Sequence, residues 1–78
     1  MNPRVKEVKA DQDFTLMVTF QNGEMKRFDV KPYLNIGIFN ELKDPEVFYS
    51  VKPILGSIEW SNGADLCPDT LYLDGDEY

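Results

Sequence analysis

The segment "FTLMVTF" (14–20) alternates apolar and polar side chains along its whole length. This period is typical of a β-strand with one buried face. The residues on the predicted core face are Phe14, Leu16, Val18 and Phe20. Asn22-Gly23 follows, a pair that can adopt the two positive φ values of a type I′ turn. The chain is therefore predicted to return in a hairpin through "EMKRFDV" (24–30).

The opposite face of this hairpin carries Met17 and Met25, which the predicted pairing brings near each other. Methionine is an adaptable apolar residue that suits contact surfaces. A chain of 78 residues has little helix with which to cover two sheet faces. We therefore predict a homodimer formed through the sheet, with exchange of the C-terminal segment as a variant. The alternative is a monomer whose loops and lysine stems cover these patches.

The segments on either side of the hairpin predict a first strand and two helices. A strand over residues 4–10 precedes it, and the uneven spacing of Val5 and Val8 indicates a bulge. Pro32 ends the sheet, because it lacks the amide proton that a central strand needs. Two short helices follow, one in "IFNELKD" (38–44) and one that begins at Asp44-Pro45.

The C-terminal third predicts a second hairpin and a helical turn. "ILGSIEW" (54–60) is extended, Asn62-Gly63 repeats the turn signal, and Pro68 suits the first position of a helix. The acidic tail "LDGDEY" (73–78) is predicted to fray. The predicted fold is α+β, with an antiparallel three-stranded meander, two short helices, then a C-terminal hairpin and helical turn. The predicted core contains Phe14, Leu16, Val18, Phe20, Phe28, Leu34, Phe39, Leu42, Phe48 and Ile58.

Length and composition limit the classes of function. The 78 residues predict one domain, 1–78, and the 42% apolar content is globular. A net charge of −6 argues against direct binding to nucleic acid and favours a basic protein partner. We see neither a membrane span nor a secretion signal. A single cysteine allows no internal disulfide, which agrees with a cytoplasmic location.

The sequence offers few groups for catalysis. There is no histidine, so the usual neutral-pH base and the commonest metal ligand are missing. Asp65 and Asp69 could act as paired carboxylates for acid/base catalysis or for a hard metal ion, but Asp65 more often binds turn or backbone amides and Asp69 more often caps a helical turn. Cys67 could be a nucleophile, but a half-buried structural thiol is the alternative that we favour. Trp60 could be an exposed binding anchor, but its alternation with Ile58 favours a role in filling the core or an interface. We predict no catalytic residue, no cofactor and no metal.

The sequence resembles the prokaryotic family called domain of unknown function 2442. The matching pieces are "PRVKEV" (3–8), "VTFQNGEMKRFDVKPYL" (18–34), "GIFNELKDPEVFYSV" (37–51) and "GSIEWSNGADLCPDTLY" (56–72). The resemblance implies a small α+β domain without established catalytic residues. Relatives are short proteins, or they precede a helix-turn-helix DNA-binding region. Cys67 departs from the family pattern, which has a polar helix-capping residue there.

The resemblance also implies a partner, since related genes lie beside those of another uncharacterised family, number 4160, as in a toxin–antitoxin pair. We expect a small non-catalytic protein-interaction module that binds this neighbouring product. The alternative is a sensory or dimerisation module linked to a helix-turn-helix transcription regulator. The residues predicted to form the interaction surface are Met17, Met25, Trp60, Asp65 and Asp69.

Overall fold

Seven strands and two short helices make up the fold of residues 2–77, which the computed structural model describes. The strands are β1 (Val5–Asp11), β2 (Thr15–Phe20), β3 (Met25–Asp29), β4 (Lys52–Ile54), β5 (Ser57–Glu59), β6 (Asp65–Leu66) and β7 (Asp76–Glu77). The α-helices are α1 (Pro45–Phe48) and α2 (Pro68–Asp74). Three 3-10 segments span Gln12–Phe14, Lys31–Tyr33 and Gly37–Lys43. The predicted α+β class is confirmed.

The larger sheet is antiparallel and has the strand order β1-β2-β3-β7. The predicted three-stranded meander forms its first three strands. The predicted bulge in β1 is also confirmed, since the register shifts between Val5 and Glu7. In β2 the burial alternates as expected, with Leu16, Val18 and Phe20 buried.

Residues 73–77 of the C-terminal tail end α2 and then form an edge strand, so the prediction that the tail frays is wrong for these residues; Tyr78 lies outside the described residues. β7 pairs with β3, with Arg27 opposite Asp76. The reason lies just before it, because Leu71 of α2 is fully buried and the Tyr72 ring meets Phe20 edge-on at 5.2 Å. The Lys26 ammonium donates to the Tyr72 carbonyl at 2.8 Å. These contacts hold α2 beside β3, and the tail then continues along the open edge of that strand.

The smaller sheet has the order β4-β5-β6 and contains the second predicted hairpin, β5–β6. Both Asn-Gly hairpins exist, but neither uses the predicted type I′ turn, since within each Asn-Gly pair only the glycine, Gly23 or Gly63, has positive φ. Each forms a three-residue loop with a glycine bulge. The Asn22 carboxamide oxygen accepts from the Glu24 amide at 3.0 Å, which holds the asparagine at negative φ. Asn62 binds the Ala64 amide in the same way.

The two predicted helix starts are confirmed. The Asp44 carboxylate accepts from the Glu46 amide at 3.0 Å, with Pro45 at the first helical position. Pro68 begins α2. The segment "IFNELKD" is helical as predicted, but as a 3-10 helix. Within residues 2–77, no helix has both the length and the apolar character that a membrane crossing requires.

The core lies on one face of the larger sheet, beneath the helices and the smaller sheet. The buried apolar residues are Val5, Leu16, Val18, Phe20, Phe28, Val30, Leu34, Leu42, Phe48, Ile58, Trp60, Ala64, Leu66 and Leu71. Two predicted core residues, Phe14 and Phe39, are only half-buried at its margin. Phe14 precedes β2 in a 3-10 turn with φ 57°, so it does not continue the alternation of the strand.

Candidate functional site

The face of the larger sheet opposite the core is open, and we call it the outer face. Its residues come from β1, β2 and β3 and stand in three cross-strand rows. The upper row is Glu7, Thr19 and Met25; the middle row is Lys9, Met17 and Arg27; the lower row is Asp11, Thr15 and Asp29. Directly opposed residues share a face of an antiparallel sheet, so the register alone fixes this arrangement.

The two predicted surface methionines both lie on the outer face. Met17 and Met25 are diagonal neighbours, because Met25 stands directly opposite Thr19. They line one shallow cleft, which Val8 and Pro53 extend towards the smaller sheet. Met25 is 44% exposed and Met17 is half-buried. The prediction that both methionines face away from the core is confirmed.

Trp60 is not part of any surface, and its assignment to the interaction surface is wrong. The side chain is 1% exposed and stacks on Phe48, with the ring centroids 6.4 Å apart. Its indole nitrogen donates to the Phe48 carbonyl at 3.0 Å, so the one polar atom of the ring is satisfied inside the core. The alternative interpretation of Trp60 as core filling is confirmed.

The three candidate catalytic residues of the C-terminal segment are exposed, and they do not act as predicted in the fold. Asp65 lies on β6, and its carboxylate makes no hydrogen bond or ion pair within residues 2–77; Asn62 binds the turn amide instead. Asp69 lies in the first turn of α2 but is not its cap, because Cys67 holds the N-cap position; the Asp69 carboxylate accepts from the Asn2 carboxamide at 3.2 Å. No group of three or more acidic or cysteine side chains among the described residues could hold a metal ion.

Cys67 is exposed rather than half-buried as predicted. It precedes Pro68 as the N-cap of α2. Its sulfur lies 3.2 Å from the Thr70 hydroxyl. Hydrogen bonds from that hydroxyl and from the Thr70 amide favour the thiolate and lower the pKa of Cys67. The side-chain partner of the sulfur is the Thr70 hydroxyl, which is not a base, so these contacts describe an acidified thiol and not a nucleophile–base pair.

Leu55 is a surface feature that the sequence reasoning missed. It forms a two-residue turn with Gly56 between β4 and β5, and both residues have positive φ, 49° and 83°. The Leu55 side chain is 89% exposed. A left-handed backbone is costly for leucine, because its Cβ crowds the following carbonyl. This leucine therefore combines an unfavourable backbone with an almost bare side chain.

The backbone of this turn is held from the N-terminal segment. The Arg4 guanidinium donates to the Leu55 carbonyl at 3.0 Å, and the Val5 amide donates to the Gly56 carbonyl at 2.9 Å. Leu55 and Arg4 line a second shallow cleft together with Asn2, Ser57, Pro68 and Asp69. The structure therefore places predicted surface residue Asp69 beside Leu55, and separates it from the methionines of the outer face.

A sequence signal for the Leu55 turn exists, although it is a weak one. Leu55-Gly56 stands between two short extended runs, "KPI" (52–54) and "SIE" (57–59), which is the spacing of a two-residue hairpin. Asparagine or aspartate is the usual first residue of such a turn. A leucine at this position does not suggest a turn, so the sequence predicts one extended segment instead of two strands.

Comparison with known protein families gives a match over nearly the whole chain. The sequence matches the model of a family described as protein of unknown function (DUF2442) over residues 5–76. The chain belongs to this family. The match includes the outer face, the Leu55 turn and α2. No curated protein and no solved structure matches the chain.

Proposed function

We propose that this protein is a small non-catalytic interaction module, which binds a basic protein partner and uses Leu55 as its anchor. The observation that carries this proposal is an 89% exposed leucine held in a left-handed turn. The fold gains little packing from this side chain, and asparagine or glycine would suit the backbone better. Strain that the fold does not require is a feature of binding and switch regions.

The surroundings of Leu55 support an anchor role. Pro53, Ile54 and Leu55 form three consecutive exposed apolar residues, and Ile54 is 38% exposed. Such exposed runs are unusual unless they serve a function. The two hydrogen bonds to the Leu55 and Gly56 carbonyls fix the turn before any partner arrives. A pre-ordered anchor loses less conformational freedom on binding than a mobile one.

The charge of the chain indicates the chemistry of the partner. Fourteen acidic residues against eight basic ones give a net charge of −6. Such a surface accelerates encounter with a positively charged protein and repels nucleic acid. A partner with an apolar pocket for Leu55 and a basic rim would fit. The family resemblance implies that this partner is the product of the neighbouring gene, from family number 4160. The partner would then be the toxin, and this protein the antitoxin, of a pair that acts in the cytoplasm.

The test is a binding measurement between this protein and the purified product of the gene beside its own, by calorimetry. We expect a 1:1 stoichiometry of chains and at least a tenfold loss of affinity in Leu55→Asn. The matched control is Leu73→Asn, because Leu73 is a second exposed leucine, at 68%, on helix α2. Leu73→Asn should bind like the wild type.

Two results would contradict the proposal. One is the absence of a complex at tens of micromolar protein. The other is an equal effect of Leu55→Asn and Leu73→Asn, which would mean that Leu55 is not the anchor. Thermal unfolding of both variants shows that any loss of binding does not come from a loss of fold.

A dimerisation module for a helix-turn-helix regulator is the second candidate, and the open outer face favours it. In this case the protein pairs with itself, and another chain supplies the DNA-binding region. The domain alone should not shift a DNA fragment in a gel at physiological salt. Tight, salt-sensitive DNA binding would contradict both candidates, because it requires a basic surface.

A further inference from the structure

Charge on the outer face changes sign from row to row. The upper row contains Glu7, the middle row contains Lys9 and Arg27, and the lower row contains Asp11 and Asp29. The middle row ends at the sheet edge with Asp76, opposite Arg27. Neighbouring rows stand about 6.8 Å apart, because two residues of an antiparallel strand separate them. The outer face is therefore striped acidic, basic and acidic across its strands, with Met17 near the centre.

This pattern decides how two copies can stack face to face. Consider a two-fold axis that lies between the faces and runs perpendicular to the strands. Each strand then faces the same strand of the other copy, and the order of the rows is reversed. With the axis on the middle row, Lys9 meets Lys9 and Arg27 meets Arg27, which is repulsive. With the axis midway between the middle and lower rows, Lys9 meets Asp11 and Arg27 meets Asp29 of the other copy.

We propose that a second copy of this chain binds the outer face in this one-row offset. The offset places Met17 against Thr15 at the centre and makes two kinds of charge pair, each occurring twice by symmetry. A uniformly basic partner would instead meet Lys9 and Arg27 directly. This inference uses a different surface from Leu55 and does not depend on the partner proposed above.

The side chains at the proposed contact are accessible. Lys9, Asp11 and Asp29 are exposed, and Asp29 forms its ion pair with Lys31 at 3.5 Å near the edge of the face. The face comprises strands of five to seven residues from β1 to β3. The one-row offset superposes only the middle and lower rows, so the contact is smaller than most specific interfaces and we expect a weak dimer.

Sedimentation equilibrium of the wild type and two charge-reversal variants tests the offset. Lys9→Asp brings a second carboxylate against Asp11 of the other copy, and Asp11→Lys brings a second ammonium against Lys9. Each variant alone should associate at least tenfold more weakly than the wild type. An equimolar mixture of the two should recover association, because an Asp11→Lys chain then faces a Lys9→Asp chain with opposite charges at the reversed positions. Thermal unfolding of each variant checks the fold.

Net charge makes the Asp11→Lys variant decisive. Replacing one acid by one base changes the net charge from −6 to about −4, so general repulsion between copies falls. If only net charge mattered, this variant would associate more tightly. The proposal requires it to associate more weakly. A wild type that stays at 9.0 kDa up to several hundred micromolar, or an Asp11→Lys variant that dimerises as well as the wild type, would overturn it.

Discussion

Two turns of this protein hold a large apolar residue in the left-handed conformation, and they differ in what supports it. Phe14 has φ 57°, and its ring meets Phe48 edge-on at 5.2 Å at the margin of the core. Leu55 has φ 49° and is 89% exposed. Packing therefore offsets the backbone strain at Phe14, whereas the exposed Leu55 side chain has little packing to offset it. Phe14 is therefore a residue that stabilises the fold, whereas a binding partner would explain the strained backbone and the exposure of Leu55.

Removal of the Phe14 side chain is the strongest test of this contrast. Phe14→Gly relieves the strain of the left-handed backbone but removes the contact with Phe48. We expect a net loss of about 2 kcal/mol in the free energy of unfolding. Asp13→Gly is the matched control, because Asp13 also has positive φ, 59°, and its side chain is exposed. It should leave stability within about 0.5 kcal/mol of the wild type. Urea denaturation measures both, and equal stability of the two variants would break the comparison.

The support of the Leu55 turn by Arg4 predicts a smaller difference between a variant and its control, about 1 kcal/mol. A Cβ at Gly56 would lie 2.9 Å from Arg4 Cδ and Nη1, whereas one at Gly63 would meet nothing within 4 Å. Both glycines have positive φ, 83° and 90°. Gly63→Ala should therefore cost about 1 kcal/mol from the backbone alone, and Gly56→Ala about 2 kcal/mol. Equal losses in urea denaturation would mean that Arg4 does not brace the turn.

Leu55→Asn should increase stability, which is the opposite of the Phe14 result. Asparagine tolerates the left-handed region, and Asn-Gly is a favoured pair for a two-residue hairpin turn. The gain in the free energy of unfolding should be about 0.5 kcal/mol, since little packing is lost. Leu73→Asn makes the same replacement at an exposed helical residue and should not increase the free energy of unfolding. A destabilised Leu55→Asn variant would show that this leucine serves the fold after all.

The smallest predicted effect concerns Cys67, which precedes the cleft residues Pro68 and Asp69. The Thr70 hydrogen bonds lower the pKa of Cys67 in the folded state. The thiolate contribution to stability is therefore present above the unfolded pKa and is lost as the pH falls through the folded pKa. Thr70→Val should move the pH–rate profile of alkylation to higher pH. Leu55→Asn should leave the profile unchanged if the first turn of α2 is independent of the anchor.

Local signals in the sequence predict much of the fold but little of the surface. The β2 alternation, the cap at Asp44 and the helix start at Pro68 depend on near neighbours in the chain, and the structure confirms them. The outer positions of Met17 and Met25 follow from the same alternation. Trp60 is ambiguous in the sequence, because alternation says which face a side chain occupies and not whether a second layer covers that face.

The sequence alone determined that two hairpins form, since an asparagine side chain can bind the amide two residues later without help from the rest of the fold. Tertiary structure decided the docking of β7, which depends on Leu71 and Tyr72 packing far along the chain from β3. It also decided the left-handed turn at Leu55, which Arg4 and Val5 hold from some fifty residues away. Contacts between such distant residues leave no period or spacing in the sequence, so only the folded chain reveals them.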